Sequence, residues 1–354
     1  MKEMIKLTLP ILRNMIFPSN QPYFCTYIIT WRCNAHCIMC DIWQKDSGQE
    51  LNYGQIVGIL KKLPMIRAMR ITGGEPFLRS DLAAIVDAID TYTMAEIIHI
   101  TTNGFMTSAI IDFMQKVKSK KTRIKISLNA IGERHDKIMG VPGASNKVLK
   151  TIDAIKNRAN HKLFAGINQT ITDWESYEDS KEIRTICQEN NLAYLPVIAY
   201  QKPALYDKGS EKANQNTNFM TFSNLSSDQI KLMLDDFILE AKRIKNPVER
   251  FVKRYYLRGL YNRLILNKNR PQPRCTALKN HLRLLPNGDI PVCLYNAQII
   301  GNIYQADLPA IWNNQMITDM RQWVARCPGC WAECEVVPNA TFSCSTLLAL
   351  CNYY

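Results

Sequence analysis

The stretch "YFCTYIITWRCNAHCIMC", Tyr23 to Cys40, runs from a strand-like segment straight into three cysteines at spacing C-x3-C-x2-C: Cys33, Cys37 and Cys40. Its first eight residues are mostly aromatic or β-branched, the composition of a buried strand. Thiolates are soft ligands suited to zinc and to iron–sulfur clusters, and structural sites of either kind normally take four protein ligands. Three leave one metal position open, which is what a centre needs if it is to bind a substrate or cofactor directly.

Outward from that segment, short β-rich runs alternate with helix-length amphipathic ones as far as about residue 198. Strands are expected at 23–30, 67–72, 96–102, 123–129, 162–170 and 193–198. Helices between them include 80–91, opening on the cap-type residues Ser80 and Asp81, and 107–119, opening on Thr107 and Ser108. Six strand-then-helix units predict an α/β fold with a parallel sheet and right-handed crossovers, a partial (β/α)6 barrel of TIM type. Its chemistry belongs where strand C-termini meet loops. After Tyr200 a polar, Asn/Ser-rich stretch reads as a long loop or lid. Helical spacing returns at 228–245 and in the basic segment 249–270, with Gly259 as its weak point.

Composition narrows the classes. The chain has 354 residues, 47% hydrophobic and 21% charged, so one large domain plus a smaller one is expected. No run approaches the roughly 18 apolar residues of a membrane span. The N-terminal segment turns apolar but is split by Pro10 and lacks a small-residue cleavage site, so a cytoplasmic protein is expected. Twelve cysteines in so long a chain point to metal ahead of disulfides. Formal charge is +13, and Lys242 to Arg274 holds eleven Lys or Arg against the single acid Glu249.

The next signal is "RITGGEPFLRS", Arg70 to Ser80. Two glycines at a strand end let a ligand approach the backbone, and Glu75 offers a fixed carboxylate to an ammonium group. With the cysteine loop one βα unit earlier, the chain resembles the radical S-adenosylmethionine (SAM) enzymes. The resemblance implies that Cys33, Cys37 and Cys40 hold a [4Fe–4S] cluster whose fourth iron takes the amino and carboxylate groups of SAM. It implies that Gly73, Gly74 and Glu75 hold the methionyl amino group and that Met39 lies beside the adenine. Asn103 in "TTNG" and Ser127 and Asn129 in "ISLNAIGERHDKIMG" are implied as cofactor contacts, Ser127 at the ribose, with Asn168 framing the adenine. Many relatives have Asp where Asn129 stands, so hydrogen bonding, not proton transfer, is expected there. His135 and Asp136 read as a capping or solvated helix-start pair ahead of a catalytic one.

A second cysteine set follows. "CTALKNHLRLLPNGDIPVC" places Cys275 and Cys293 on an expected hairpin, and "CPGCWAEC" supplies Cys327, Cys330 and Cys334. Two hairpin thiols and a C-x2-C knuckle make a four-thiolate site for zinc or iron–sulfur, with zinc favoured on spacing alone. These elements resemble the SPASM or shorter twitch extension of radical SAM enzymes. That implies an auxiliary [4Fe–4S] cluster on Cys275, Cys293, Cys327 and Cys330. A further cluster on Cys334, Cys344 and Cys351 is left open, and Cys25 and Cys187 read as core thiols.

The expected layout is an extension at 1–19, the barrel core at 20–200, the polar loop and basic segment at 201–270, and a cysteine-rich α+β auxiliary domain at 271–354. The implied activity is reductive cleavage of SAM to a 5′-deoxyadenosyl radical that takes a hydrogen atom from an organic substrate. Expected partners are a small-molecule, lipid or peptide substrate, anionic in view of the basic segment, and an electron donor such as flavodoxin or ferredoxin; peripheral membrane contact is also raised and nucleic acid ranks last. The competing reading is a non-catalytic, zinc- or cluster-stabilised protein that binds an anionic partner through its basic helix.

Overall fold

The computed structural model describes residues 19–156, 158, 161–200, 202–207 and 225–342. Nine strands are present there: β1 Phe24–Ile28, β2 Ala68–Thr72, β3 Ile97–Thr102, β4 Thr122–Ser127, β5 Phe164–Ile171, β6 Ala193–Ile198, β7 His281–Leu284, β8 Asp289–Pro291 and β9 Ile299–Asn302. The α-helices described are α1 Tyr53–Lys61, α2 Leu82–Tyr92, α3 Thr107–Lys116, α4 Gly132–Met139, α5 Ala144–Lys156, α6 Trp174–Glu189, α7 Ser227–Glu240, α8 Pro247–Leu264, α9 Leu308–Trp312, α10 Gln315–Arg326 and α11 Glu333–Phe342. Cys344 and Cys351, and most of the expected lid at 208–224, lie outside the described residues.

The main sheet has the order β6-β5-β4-β3-β2-β1-β7, parallel at every pairing. It is an open barrel wall of seven strands, one more than the βα count, because β7 from the cysteine-rich region pairs with β1 (Thr26 opposite Arg283). The Pro286-Asn287-Gly288-Asp289 turn forms as expected, with Gly288 at φ +87° and its N–H donating to the Leu285 carbonyl at 2.9 Å. The strands flanking it do not make one hairpin, however: β8 pairs antiparallel with β9. A turn signal is local, whereas β7 is buried along its whole length and satisfies the edge of β1.

Alternation builds the wall. Ile98 and Ile100 of β3 and Ile124 and Ile126 of β4 face the helices in one continuous core, which also takes Cys25 and Cys187 as the expected core thiols. The opposite, inner face is polar and basic. Thr26 is in register with both Arg70 and Arg283, and Arg70 with His99.

Helices α8 and α11 close that inner face. Lys253 of α8, buried, donates to Glu333 at 2.5 Å and to the Pro196 carbonyl at 3.0 Å. Along α11 the Cys334 carbonyl accepts from Arg70 (3.1 Å) and Glu335 pairs with Arg283 (2.5 Å). Phe342 ends the helix against Phe24 and Ala68, at the N-terminal ends of β1 and β2. Part of the basic segment is therefore an internal counter-charge to α11, not a free working face: Lys253 is paired inside and the Arg263 guanidinium lies 3.7 Å from the Trp331 ring centroid. Gly259 does not weaken α8. It is the seat for Trp331, whose indole occupies the space a Cβ would need.

Two of the expected helix starts form without side-chain capping. Asp81 stands at the N-cap of α2 but gives its carboxylate to Arg79, at 2.9 and 2.7 Å. Met106 precedes α3, and the Thr107 hydroxyl meets Thr151 at 2.7 Å. No helix among the described residues is long and apolar enough to cross a membrane.

Candidate active site

The cysteine loop leaves the C-terminal end of β1 and is held on three sides. Glu50 accepts from the Thr30 hydroxyl and the Trp31 N–H, each at 2.8 Å, and fixes the approach to Cys33. The tail of α4 forms a short ladder with the loop: His36 N–H donates to the Met139 carbonyl at 2.8 Å and Ile38 N–H to the Ile138 carbonyl at 3.0 Å. Gly140 follows at φ +64°, where a Cβ would come within 2.5 Å of the His36 carbonyl, so glycine is required there. On the third side Asn103 donates its amide to Asn34 at 2.7 Å.

The Gly73-Gly74-Glu75 turn packs backbone to backbone on the same loop. Gly74 N–H donates to the Thr30 carbonyl and Glu75 N–H to the Arg32 carbonyl, both at 2.8 Å. Added Cβ atoms would collide with those carbonyls, that of Gly73 at 2.5 Å from Thr30. The two glycines are thus dictated by contact with the cysteine loop before any ligand is considered. Glu75 is buried, and its carboxylate accepts from Thr102 Oγ1 (2.8 Å), Phe77 N–H (3.0 Å) and Asn103 N–H (2.7 Å). Burial pushes its pKa up to about 7 against the pull of those donors.

The other expected contacts divide. Ser127 and Asn168 are in register on β4 and β5, half-exposed, with no side-chain partner among the described residues. Met39 is half-exposed within the loop. Asn129 is buried and committed: its carbonyl oxygen accepts from Thr170 N–H (2.9 Å) and its amide donates to the Met139 sulfur (3.2 Å). Asn103 is tied to Asn34, so it reaches a ligand only through the loop or its backbone. His135 lies inside α4, not at its start, fully buried, with Nδ1 accepting from Asn129 N–H at 3.1 Å; burial lowers its pKa to about 4. Asp136 holds the start of the next helix, accepting from Gly143 N–H (2.6 Å) and Ser145 N–H (2.8 Å).

A cluster fits the donor sets. All the cysteines among the described residues are free. Cys37 lies in the field of Cys33 and Cys40, and burial raises the three thiols to about 12, 11 and 11. Cys330 lies in the field of Cys334, Cys275 and Cys293, and Cys275 in that of Cys327. Gathering buried thiols is unfavourable unless positive metal offsets their ionisation. The Cys327 sulfur also accepts from Gly329 N–H at 3.5 Å, as a metal-holding knuckle does. Among the described residues no three such groups already meet where one ion could be held, so the fit rests on the donor sets and not on a preformed cage.

The two sets meet. Cys33 and Cys40 pack against the same apolar cluster as Cys293, Cys330 and Cys334, built on Ile28, Ile42, Leu205, Leu285, Leu294 and Tyr295. Sequence reasoning missed Glu50, Asn34 and the Arg283–Glu335 pair, each of which acts through a contact distant in the chain, whereas Gly140 closes the quoted "ISLNAIGERHDKIMG".

A parallel βα wall with a three-cysteine loop and a Gly-Gly-Glu turn at its strand tips, joined to a second thiol set, defines an iron–sulfur enzyme of the radical type. The radical SAM superfamily model matches residues 27–179 and the SPASM iron–sulfur cluster-binding domain model matches 275–334, and the chain belongs to that superfamily, with a C-terminal SPASM domain. A probable GTP 3′,8-cyclase of Sulfurisphaera tokodaii is 26% identical over 273 residues, 75% of this chain and 79% of that one. Among solved structures, SuiB of Streptococcus suis bound to its precursor peptide SuiA aligns with TM-score 0.59 and 17% identity over 98% of this chain and 76% of that one. Native anSMEcpe with bound AdoMet and Kp18Cys peptide aligns with TM-score 0.58 and 15% identity, covering 86% of this chain and 83% of that one. At such identities these structures speak for the fold. The protein is an enzyme that uses a [4Fe–4S] cluster and SAM, with auxiliary iron–sulfur in its SPASM domain, which sets aside the non-catalytic reading.

Proposed function

We propose that the chain abstracts a hydrogen atom from a peptide substrate and uses its auxiliary cluster to take up an electron from, or to bind, that substrate. Cys33, Cys37 and Cys40 would hold the cluster that delivers an electron to bound SAM, and the pair would supply the radical chemistry for hydrogen-atom abstraction. This chain's residues supply the placement. Gly73 and Gly74 keep the turn against the loop, and Glu75 offers its remaining lone-pair position to the SAM ammonium. Ser127 and Asn168 offer unpartnered polar groups to ribose and adenine, and Met39 an apolar wall. The auxiliary ligands are Cys275, Cys293, Cys327 and Cys330.

The observation that carries this reading is the single apolar cluster shared by both thiol sets, which shields the region between them from water. Support for a peptide comes from the fold neighbours solved with peptides, SuiB and anSMEcpe. The second reading, a guanine nucleotide substrate, is favoured by the sequence relatives that carry the GTP 3′,8-cyclase name. An anionic substrate of that kind would also suit the excess of base. A flavodoxin- or ferredoxin-type carrier would supply the electron.

The test is anaerobic reconstitution with iron and sulfide, then reduction with SAM present and either GTP or peptides encoded beside the gene. Formation of 5′-deoxyadenosine stimulated by a peptide supports the first reading and stimulation by GTP the second. Its absence under all conditions refutes both.

A further inference from the structure

We propose that the segment Lys202–Asp207 is a strap that holds the two metal centres at a fixed separation, with Tyr206 as the positioning side chain between them; the proposal rests on reading both cysteine sets as cluster sites.

The segment belongs to no strand or α-helix. It follows β6 and contains one 3₁₀ turn, Ala204–Tyr206, entered through Pro203. Its attachments are made next to ligand cysteines. Lys202 Nζ meets Asp41 Oδ1 at 2.8 Å, and Asp41 directly follows Cys40. Lys45 Nζ, from the same loop, donates to the Asp207 carbonyl at 2.5 Å. On the auxiliary side, Leu205 N–H donates to the carbonyl of Leu294 at 3.1 Å, and Leu294 directly follows Cys293. Six residues are thus pinned at both ends to one centre and in the middle to the other.

Side chains continue the bridge. Leu205 is buried in the apolar cluster that receives Cys33 and Cys40 from one side and Cys293, Cys330 and Cys334 from the other. Tyr206 packs on that cluster too, within the field of Arg283, Cys40, Cys334 and Glu335. Nearby, Tyr200 and Tyr295 sit with ring centroids 5.3 Å apart, and the Tyr200 hydroxyl accepts from Trp331 N–H at 3.3 Å.

Stability is a poor reason for such an arrangement. Lys202 is nearly half-exposed, and exposed ion pairs contribute little to folding. Register is the better reason, because the electron that starts the reaction and the one that leaves the substrate must pass between fixed donors and acceptors. The Lys202–Asp41 pair and the Lys45 bond to the Asp207 carbonyl set the loop after Cys40, the Leu205 bond sets the residue after Cys293, and Tyr206 packs on the apolar cluster they share.

The test uses the full chain, anaerobically reconstituted, with the magnetic interaction between its two reduced clusters read from EPR power saturation. The Lys45→Met/Lys202→Met double variant releases the loop side, Tyr206→Ala removes the spacer, and Tyr206→Phe keeps the ring. The double variant should retain wild-type iron content and SAM affinity within about twofold, as expected for exposed pairs, while the inter-cluster interaction weakens. Tyr206→Ala should follow it and Tyr206→Phe should restore it. Should Tyr206→Ala lose its clusters, the exposed lysine pair decides alone. Wild-type interaction in the lysine variant overturns the strap, as does a wild type with two clusters and no interaction. A wild type that binds a single cluster overturns instead the functional reading beneath it.

Discussion

Replacing Glu75 by glutamine tests the site at its most constrained atom. The carboxylate has two oxygens with about four lone-pair positions. Oε1 accepts from Thr102 and Phe77, and Oε2 accepts from Asn103. Three positions are taken by the protein, which leaves room for one incoming donor, under the proposed function the SAM ammonium. Glutamine can put its carbonyl at Oε1 and keep two bonds, but its NH2 then faces the Asn103 N–H, donor to donor. One buried N–H without a partner costs about 1–3 kcal/mol. Loss of a charge-assisted bond to the ammonium costs about 1.5–3 kcal/mol more, or roughly 10- to 100-fold in SAM affinity. The assay is an anaerobic SAM titration followed by EPR of the reduced cluster, paired with thermal unfolding. Thr102→Val is the control, since it removes one donor and leaves the charge: stability should fall while SAM affinity holds. Glu75→Gln binding SAM within about twofold of wild type, or Thr102→Val weakening it as much, would refute the reasoning.

Four further outcomes follow from the geometry. The Glu75 pKa of about 7 lies above its unfolded value, so the folded chain holds a proton that the unfolded chain has released. That contribution is complete below pH about 4.5 and is lost as pH rises through 7, by about 3 kcal/mol, and unfolding of wild type and Glu75→Gln side by side should show the difference. Gly140→Ala, at φ +64° and 2.5 Å from the His36 carbonyl, should cost about 1–3 kcal/mol and lower the iron held by the first loop, measured by metal analysis. Lys253→Met leaves the partly buried Glu333 without its partner and should destabilise by about 1–3 kcal/mol in denaturant, with Lys253→Met/Glu333→Leu much milder. Cys330→Ser should abolish the auxiliary EPR signal while Cys334→Ser preserves it, if Cys275, Cys293, Cys327 and Cys330 are the ligands.

The sequence was most legible where chemistry and backbone period coincide. All six expected strands form within two residues of the expected ends, because each is a short segment carrying β-branched residues between glycine or polar breaks, as with "RAMRIT" and β2. The Gly-Gly-Glu turn was visible because only glycine tolerates the approach of Thr30 and Arg32. Partners far along the chain were hidden. Nothing local says that Arg283 will stand opposite Thr26, or that α11 will set Glu333 against Lys253 of α8 and Glu335 against Arg283 of β7. The same ignorance made Lys242–Arg274 look like an open basic surface and Gly259 like a defect. Asp81 and Thr107 are of cap-forming type, but Arg79 and Thr151 claim their side chains.

The central claim is that Cys33, Cys37 and Cys40 hold a cluster with one iron free for SAM. EPR of the dithionite-reduced protein, before and after SAM, examines that directly in wild type and in a Cys37→Ala variant. The account predicts about eight iron per chain, a wild-type spectrum that changes on adding SAM, and a Cys37→Ala spectrum that does not. A wild-type spectrum indifferent to SAM, or tetrahedral zinc at those three thiolates, would contradict it.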